Sequence, residues 1–173
     1  FIERFLAIKK AGQMDPQFMK MIKDHILSGN IAAAKGLAKN TQNPVANMIE
    51  KGIMRIGKDM SDIKAAIENV GKIEIYKLEK NLNLLATVSG AAPMIGFLGT
   101  VAGMIRAFIG VAQEEGMVSP KLLSTGIYEA MITTAAGLVV GIIAYLGYNY
   151  LVSQVSKLVH NMEYTSIEFM DIL

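Results

Sequence analysis

The 173-residue chain contains no cysteine, so it has neither disulfides nor thiolate metal sites. Its only histidines, His25 and His160, stand singly on stretches of helical pattern. It also has no phosphate loop, no cluster of metal ligands and no nucleophile triad. An enzyme is therefore the weakest reading, and no cofactor is implied. Aromatic residues make up only 7% of the chain and do not interleave with the basic residues of its first half, so no nucleic-acid surface is expected. Charge is missing altogether from two long runs: residues 81–105 and 130–156 hold no Asp, Glu, Lys or Arg.

What remains is apolar. Hydrophobic residues account for 52% of the chain, charged residues for 18%, and the mean hydropathy is +0.37, too apolar for an ordinary soluble domain. Each uncharged run is longer than the roughly 20 residues that cross about 30 Å of hydrocarbon. Two buried helices of a soluble bundle would show a polar face every few residues, and neither run does. The expected fold is an all-α membrane protein. Residues 1–80 hold 14 Lys and Arg against 9 Asp and Glu, while the only bases between the spans are Arg106 and Lys121. The positive-inside rule places residues 1–80 and the C-terminal tail in the cytoplasm and the connection between the spans outside. Arg106, near the outer end of the first span, reads as an interface anchor. The opening "FIERFLAIKK" reads as the exit of an earlier membrane helix.

Punctuation divides the chain. Residues 1–60 form a cytoplasmic region of short helices. Asp15 with Pro16 opens one, "SGN" at 28–30 ends it, and Asn30 caps the next. Pro44 opens another, running to about Ile56. From 61 to 113 the pattern predicts one helix that enters and crosses the membrane, bent at Pro93. Residues 114–126 read as an outer loop, and 127–173 as the second membrane helix with a cytoplasmic extension. On that extension Val155, Leu158, Met162, Phe169 and Leu173 form a stripe. Lys64, Lys72, Lys77 and Lys80 could face Glu163, Glu168 and Asp171 there, or all could be solvated helix faces, and exposed pairs contribute little.

Small residues recur at three- and four-residue intervals in both spans: Ala92, Gly96, Gly99, Gly103, Ala107 and Gly110 in the first, and Gly126, Ala130, Thr133, Gly137, Gly141 and Ala144 in the second. In lipid such stripes allow close helix contact, between the two spans or between copies of the chain. Thr100 in the first span and Thr133 and Thr134 in the second supply hydroxyls at comparable depth, and Glu129 lies one turn before Thr133. No carboxylate lies deep in either run, so a buried ionisable carrier would have to come from another polypeptide. A passive scaffold is the main rival to an ion path.

The segments "LNLLATVSGAAPMIGFLGTVAGMIRAF" and "GIYEAMITTAAGLVVGIIAYLGYN" resemble the ExbB/TolQ/MotA group of proton-channel proteins, over roughly residues 60–155. The resemblance implies a pentamer in the bacterial inner membrane, preceded by a further membrane helix. It also implies a single-span ExbD-like partner whose membrane aspartate carries the ion, and a TonB-like protein that is energised. By motif position it makes Thr100 and Thr134 pore hydroxyls, Glu129 the polar residue at the pore end, and Pro93 a kink. Proton-driven relatives commonly have alanine before the second-span threonine. Thr133 stands there instead, as in sodium-using relatives, so the transported ion is a proton or sodium. The short cytoplasmic region argues against a flagellar MotA-like stator. An ExbB-like role is implied, with a TolQ-like envelope role as the alternative.

Overall fold

The computed structural model describes residues 1–113 and 120–173, and all regular structure among them is helical. Seven helices follow in order: α1 Ile2–Ala11, α2 Phe18–Leu27, α3 Ile31–Asn40, α4 Pro44–Ile53, α5 Met60–Glu79, α6 Leu82–Gln113 and α7 Pro120–Met170. They belong to two units. The first comprises Phe1–Lys80 with Leu151–Leu173, and the second Asn81–Tyr150.

Local chemistry sets the short helices of the first unit. The Asn30 side chain accepts from the Ala33 amide at 3.1 Å, capping α3. Asn43 caps α4 by accepting from the Val45 amide at 2.9 Å, and Pro44 takes the first helical position, where its missing N–H costs nothing. Asn43 also donates to the Ala11 and Gln13 carbonyls, at 2.7 and 3.0 Å. It is buried, so one side chain both starts α4 and satisfies the chain leaving α1. Asp15 caps a turn by accepting from the Gln17 amide, and α2 begins only at Phe18. Helix α4 ends at Ile53, short of the expected Ile56, because the chain turns through Gly57 at φ +93°.

The core of this unit is built from large side chains. Phe18, Ile22, Ile49, Ile67, Leu151, Met162 and Phe169 are all essentially inaccessible. The stripe predicted on the tail of α7 is real at Val155, Met162 and Phe169, with Leu158 half-buried and Leu173 exposed at the end of the chain. Gly52 makes room for it: a Cβ there would stand 2.6 Å from the Phe169 ring and 2.8 Å from Ile67.

The single helix expected over 61–113 is two helices. Helix α5 stops at Glu79, and Asn81 takes a left-handed conformation, φ +64°, before α6 begins. Asparagine tolerates that region better than most residues. Arg4 donates to the Lys77 carbonyl at 3.1 Å, satisfying one of the open acceptors at the end of α5. Arg4 also pairs with Glu3, whose carboxyl the guanidinium holds below its usual range. The second long helix likewise departs from expectation. It starts at Pro120 rather than near 127, with proline again at the helix start. Of the predicted loop 114–126, residues 120–126 are helical and 114–119 lie outside the described residues.

Candidate functional site

In the second unit, α6 and the first part of α7 are held together by their small residues. Gly96, Gly103 and Ala107 are buried on α6, and Ala130, Gly141 and Ala144 on α7. Every approach in this seam is too close for a side chain. A Cβ on Gly137 would stand 2.6 Å from the Ala92 carbonyl oxygen and 2.9 Å from the Gly96 Cα. One on Gly96 would meet the Thr133 carbonyl oxygen at 2.8 Å, and one on Gly103 would meet the Ala130 methyl at 2.8 Å. Gly99 faces Thr133, whose Cβ would lie 2.7 Å from an added methyl, and Gly126 faces Ala107 at 2.6 Å. Most positions of the two stripes thus meet each other within one chain.

Pro93 belongs to the same seam. It lies inside α6, and its ring sits over Gly141, 2.6 Å from where a Cβ would be. Proline cannot donate to the carbonyl of Ser89, four residues earlier, and that oxygen also overlooks Gly141, at 3.1 Å. A residue that would weaken an isolated helix is here accommodated by a glycine on its neighbour.

The hydroxyls gather where the seam passes Gly96. Thr134 donates to the Gly96 carbonyl at 3.0 Å, across the two helices. Thr133 donates to Ala130 in its own helix at 2.7 Å and approaches the Gly96 carbonyl at 3.4 Å. Thr100 donates to Phe97 at 2.6 Å. Since Gly99 faces Thr133, Thr100 stands at about the same level along the helix pair as Thr133 and Thr134. Each keeps its oxygen lone pairs as acceptors. The sequence alone did not reveal that a backbone carbonyl, that of Gly96, is the acceptor shared by Thr134 and Thr133. Glu129 is exposed on α7, one turn from Thr133. Arg106 is exposed on α6, its Nε 3.4 Å from the Ala102 carbonyl oxygen.

Outside the seam the unit is apolar. Met94, Ile95, Phe97 and Leu98 on α6 and Leu138, Val139, Ile142 and Ile143 on α7 are exposed, several by about two thirds. Both helices are long and apolar enough to cross a membrane. The MotA/TolQ/ExbB proton channel family profile matches residues 40–164. The chain belongs to this family. It is similar to an ExbB homolog among the biopolymer transport proteins of Methanothermobacter thermautotrophicus, at 28% identity over 94% of this chain and 57% of that protein. Biopolymer transport protein exbB1 of Vibrio cholerae is 35% identical over 53% of this chain and 42% of its own length. The Tol-Pal system protein TolQ of Haemophilus influenzae is 38% identical over 49% of this chain and 37% of its own length. The chain thus spans about half the length of these curated relatives. Like other MotA/TolQ/ExbB proteins, it is an integral membrane protein.

The MotA/TolQ/ExbB match extends into the first unit, where the ion pairs of α5 are local. Lys64 pairs with Glu68 at 3.9 Å and Lys77 with Glu74 at 2.7 Å, both along α5. Lys64, Lys72 and Glu163 do line one open groove of about 660 Å³ between α5 and α7. However, no ion pair among the described residues joins Glu163, Glu168 or Asp171 to a lysine. Pairs three or four residues apart on one helix need no long side chain to reach across a groove.

Proposed function

We propose that this chain is the ring-forming, ion-conducting subunit of an ExbB-like motor in the bacterial inner membrane. In this reading five copies surround a single-span, ExbD-like partner whose membrane aspartate carries a proton or sodium, and the complex energises a TonB-like protein. One observation carries the reading. Thr134 and Thr133 bring their hydroxyls to the Gly96 carbonyl, with Thr100 one turn along α6 from Gly96, while neither uncharged run supplies a carboxylate to work with them. A lumen lined by hydroxyls has no titratable site of its own, and a bare ion is costly to bring there. A partner carboxylate, neutralised by the ion, can pass such a collar and re-ionise where water solvates it.

The chain alone should then conduct almost nothing in proteoliposomes, and adding the aspartate-bearing partner should create transport. Thr134→Val should abolish partner-dependent transport, and Thr134→Ser should retain it, with ring size unchanged by native mass spectrometry. Full transport with Thr134→Val would refute the collar and favour the scaffold reading. Thr133→Ala separates the ions. It should raise the sodium concentration for half activity if sodium is carried, and leave a proton-driven motor unchanged. The similarity to TolQ supports a second reading, an envelope-maintenance motor with the same ion path. Identification of the co-purifying single-span protein distinguishes the two.

A further inference from the structure

The chain has six tyrosines, and four of them mark the ends of the second unit's apolar surface. Tyr128 stands at one end, and Tyr145, Tyr148 and Tyr150 at the other; none lies between 129 and 144. Tyr128 is 66% exposed, Tyr145 58% and Tyr150 46%. Tyrosine prefers the headgroup level, where its ring is in contact with chains and its hydroxyl with water. Between the two levels the large exposed side chains of α7 include Met131, Ile132, Leu138, Val139, Val140, Ile142 and Ile143, and the exposed polar residues Glu129 and Thr133 both lie in the third nearest Tyr128. Tyr128 and Tyr148 are twenty residues apart, about 30 Å of helix, the thickness of bilayer hydrocarbon.

Helix α6 marks the same levels independently. Ala107 meets Gly126, so exposed Arg106 lies level with the Tyr128 end. Pro93 meets Gly141, so the start of α6 lies level with Tyr148, next to the uncharged run's polar edge at Asn81 and Asn83. We infer that the bilayer is centred on Leu138, with Tyr128 and Arg106 at one headgroup level and Tyr148 at the other. The Thr134–Gly96 node then sits about 9 Å from the Tyr128 level and about 21 Å from the Tyr148 level. It lies well off the midplane, and water reaches it by a short path on the Glu129 side. Centring the bilayer on Thr134 instead would draw Glu129 to about 8 Å from the midplane, where an exposed carboxylate is costly, and carry Tyr148 and Tyr150 about 6 and 9 Å beyond the hydrocarbon edge.

The inference rests on the chain's being a membrane protein and not on the motor reading, so either can fail without the other. The chain has no tryptophan, and a single one reports depth against lipids brominated near the headgroup or near the chain end. The reconstituted protein would carry one substitution at a time: Tyr128→Trp, Tyr148→Trp, Met131→Trp or Ile132→Trp at the node side, Leu138→Trp or Val139→Trp at the centre. Two adjacent positions per level point in different directions around the helix. Tryptophan at 128 and 148 should be quenched mainly by shallow bromine. The central pair should be quenched mainly by deep bromine with the most blue-shifted emission, and the node-side pair should give intermediate ratios. Deepest quenching at 131 or 132, or quenching of neither central position by any lipid, would overturn the placement.

Discussion

The two units of this chain are built on opposite rules. In the first, large side chains such as Phe18, Ile49 and Phe169 are buried in the core. In the second, the buried positions among the described residues are Gly96, Gly103, Ala107, Ala130, Gly141 and Ala144, with only Leu82 among larger residues, and Phe97, Leu98 and Ile143 point outward. The difference follows from the solvent. Water expels apolar area, roughly 25 cal/mol per Å², so the first unit collects its largest apolar groups. Lipid offers no such drive, so the second unit gains from backbone approach and hydrogen bonds between helices.

The same substitution should therefore have very unequal consequences in the two units. Ile49→Ala, at a position with no exposure, should cost about 2–5 kcal/mol by opening a cavity. Ile143→Ala, 67% exposed, should change stability by no more than about 0.5 kcal/mol. Unfolding titrations of both variants in mixed micelles check this, and equal losses would break the contrast. Glycines sharpen it at a smaller scale. Gly141→Leu pushes into the Pro93 ring and the Ser89 carbonyl and should cost about 1–3 kcal/mol. Gly36→Ala in α3 meets nothing within 4 Å and should stabilise by up to about 1 kcal/mol through helix propensity.

Polar groups give two finer tests. Asn43→Asp keeps the cap on α4 but loses the donors to Ala11 and Gln13. It should cost about 1–3 kcal/mol, the usual penalty for a buried partner left unsatisfied, seen as faster amide exchange at the end of α1. Thr134→Val removes one hydrogen bond between helices in the membrane, typically about 0.6 kcal/mol. A micelle unfolding shift that small, beside complete loss of transport, would separate the hydroxyl's packing role from its proposed role in conduction.

Features governed by neighbours in the chain were legible in the sequence. The Asn30 cap, Pro44 at the start of α4 and the α7 stripe through Val155, Met162 and Phe169 all rest on spacing or on a side chain reaching a backbone amide two or three residues away. The break at Lys80–Asn81 was not legible, because one of its supports, Arg4 on the Lys77 carbonyl, comes from 73 residues away. The pairs Lys64–Glu68 and Lys77–Glu74 follow from spacing on α5, whereas the groove that Lys64 and Lys72 share with Glu163 depends on how α5 packs on the tail of α7.

By itself the sequence determined the helical class, the two uncharged runs with their small residues and threonines, and the absence of a carboxylate within those runs. Composition and periodicity decide these, because lipid and water select residues by type and spacing. Only the tertiary structure decided that the small stripes face each other inside one chain, that Pro93 is matched to Gly141, and that the Gly96 carbonyl receives the Thr134 hydroxyl. A stripe read from sequence has a face but no partner; the partner is chosen by which backbones can approach without a Cβ between them.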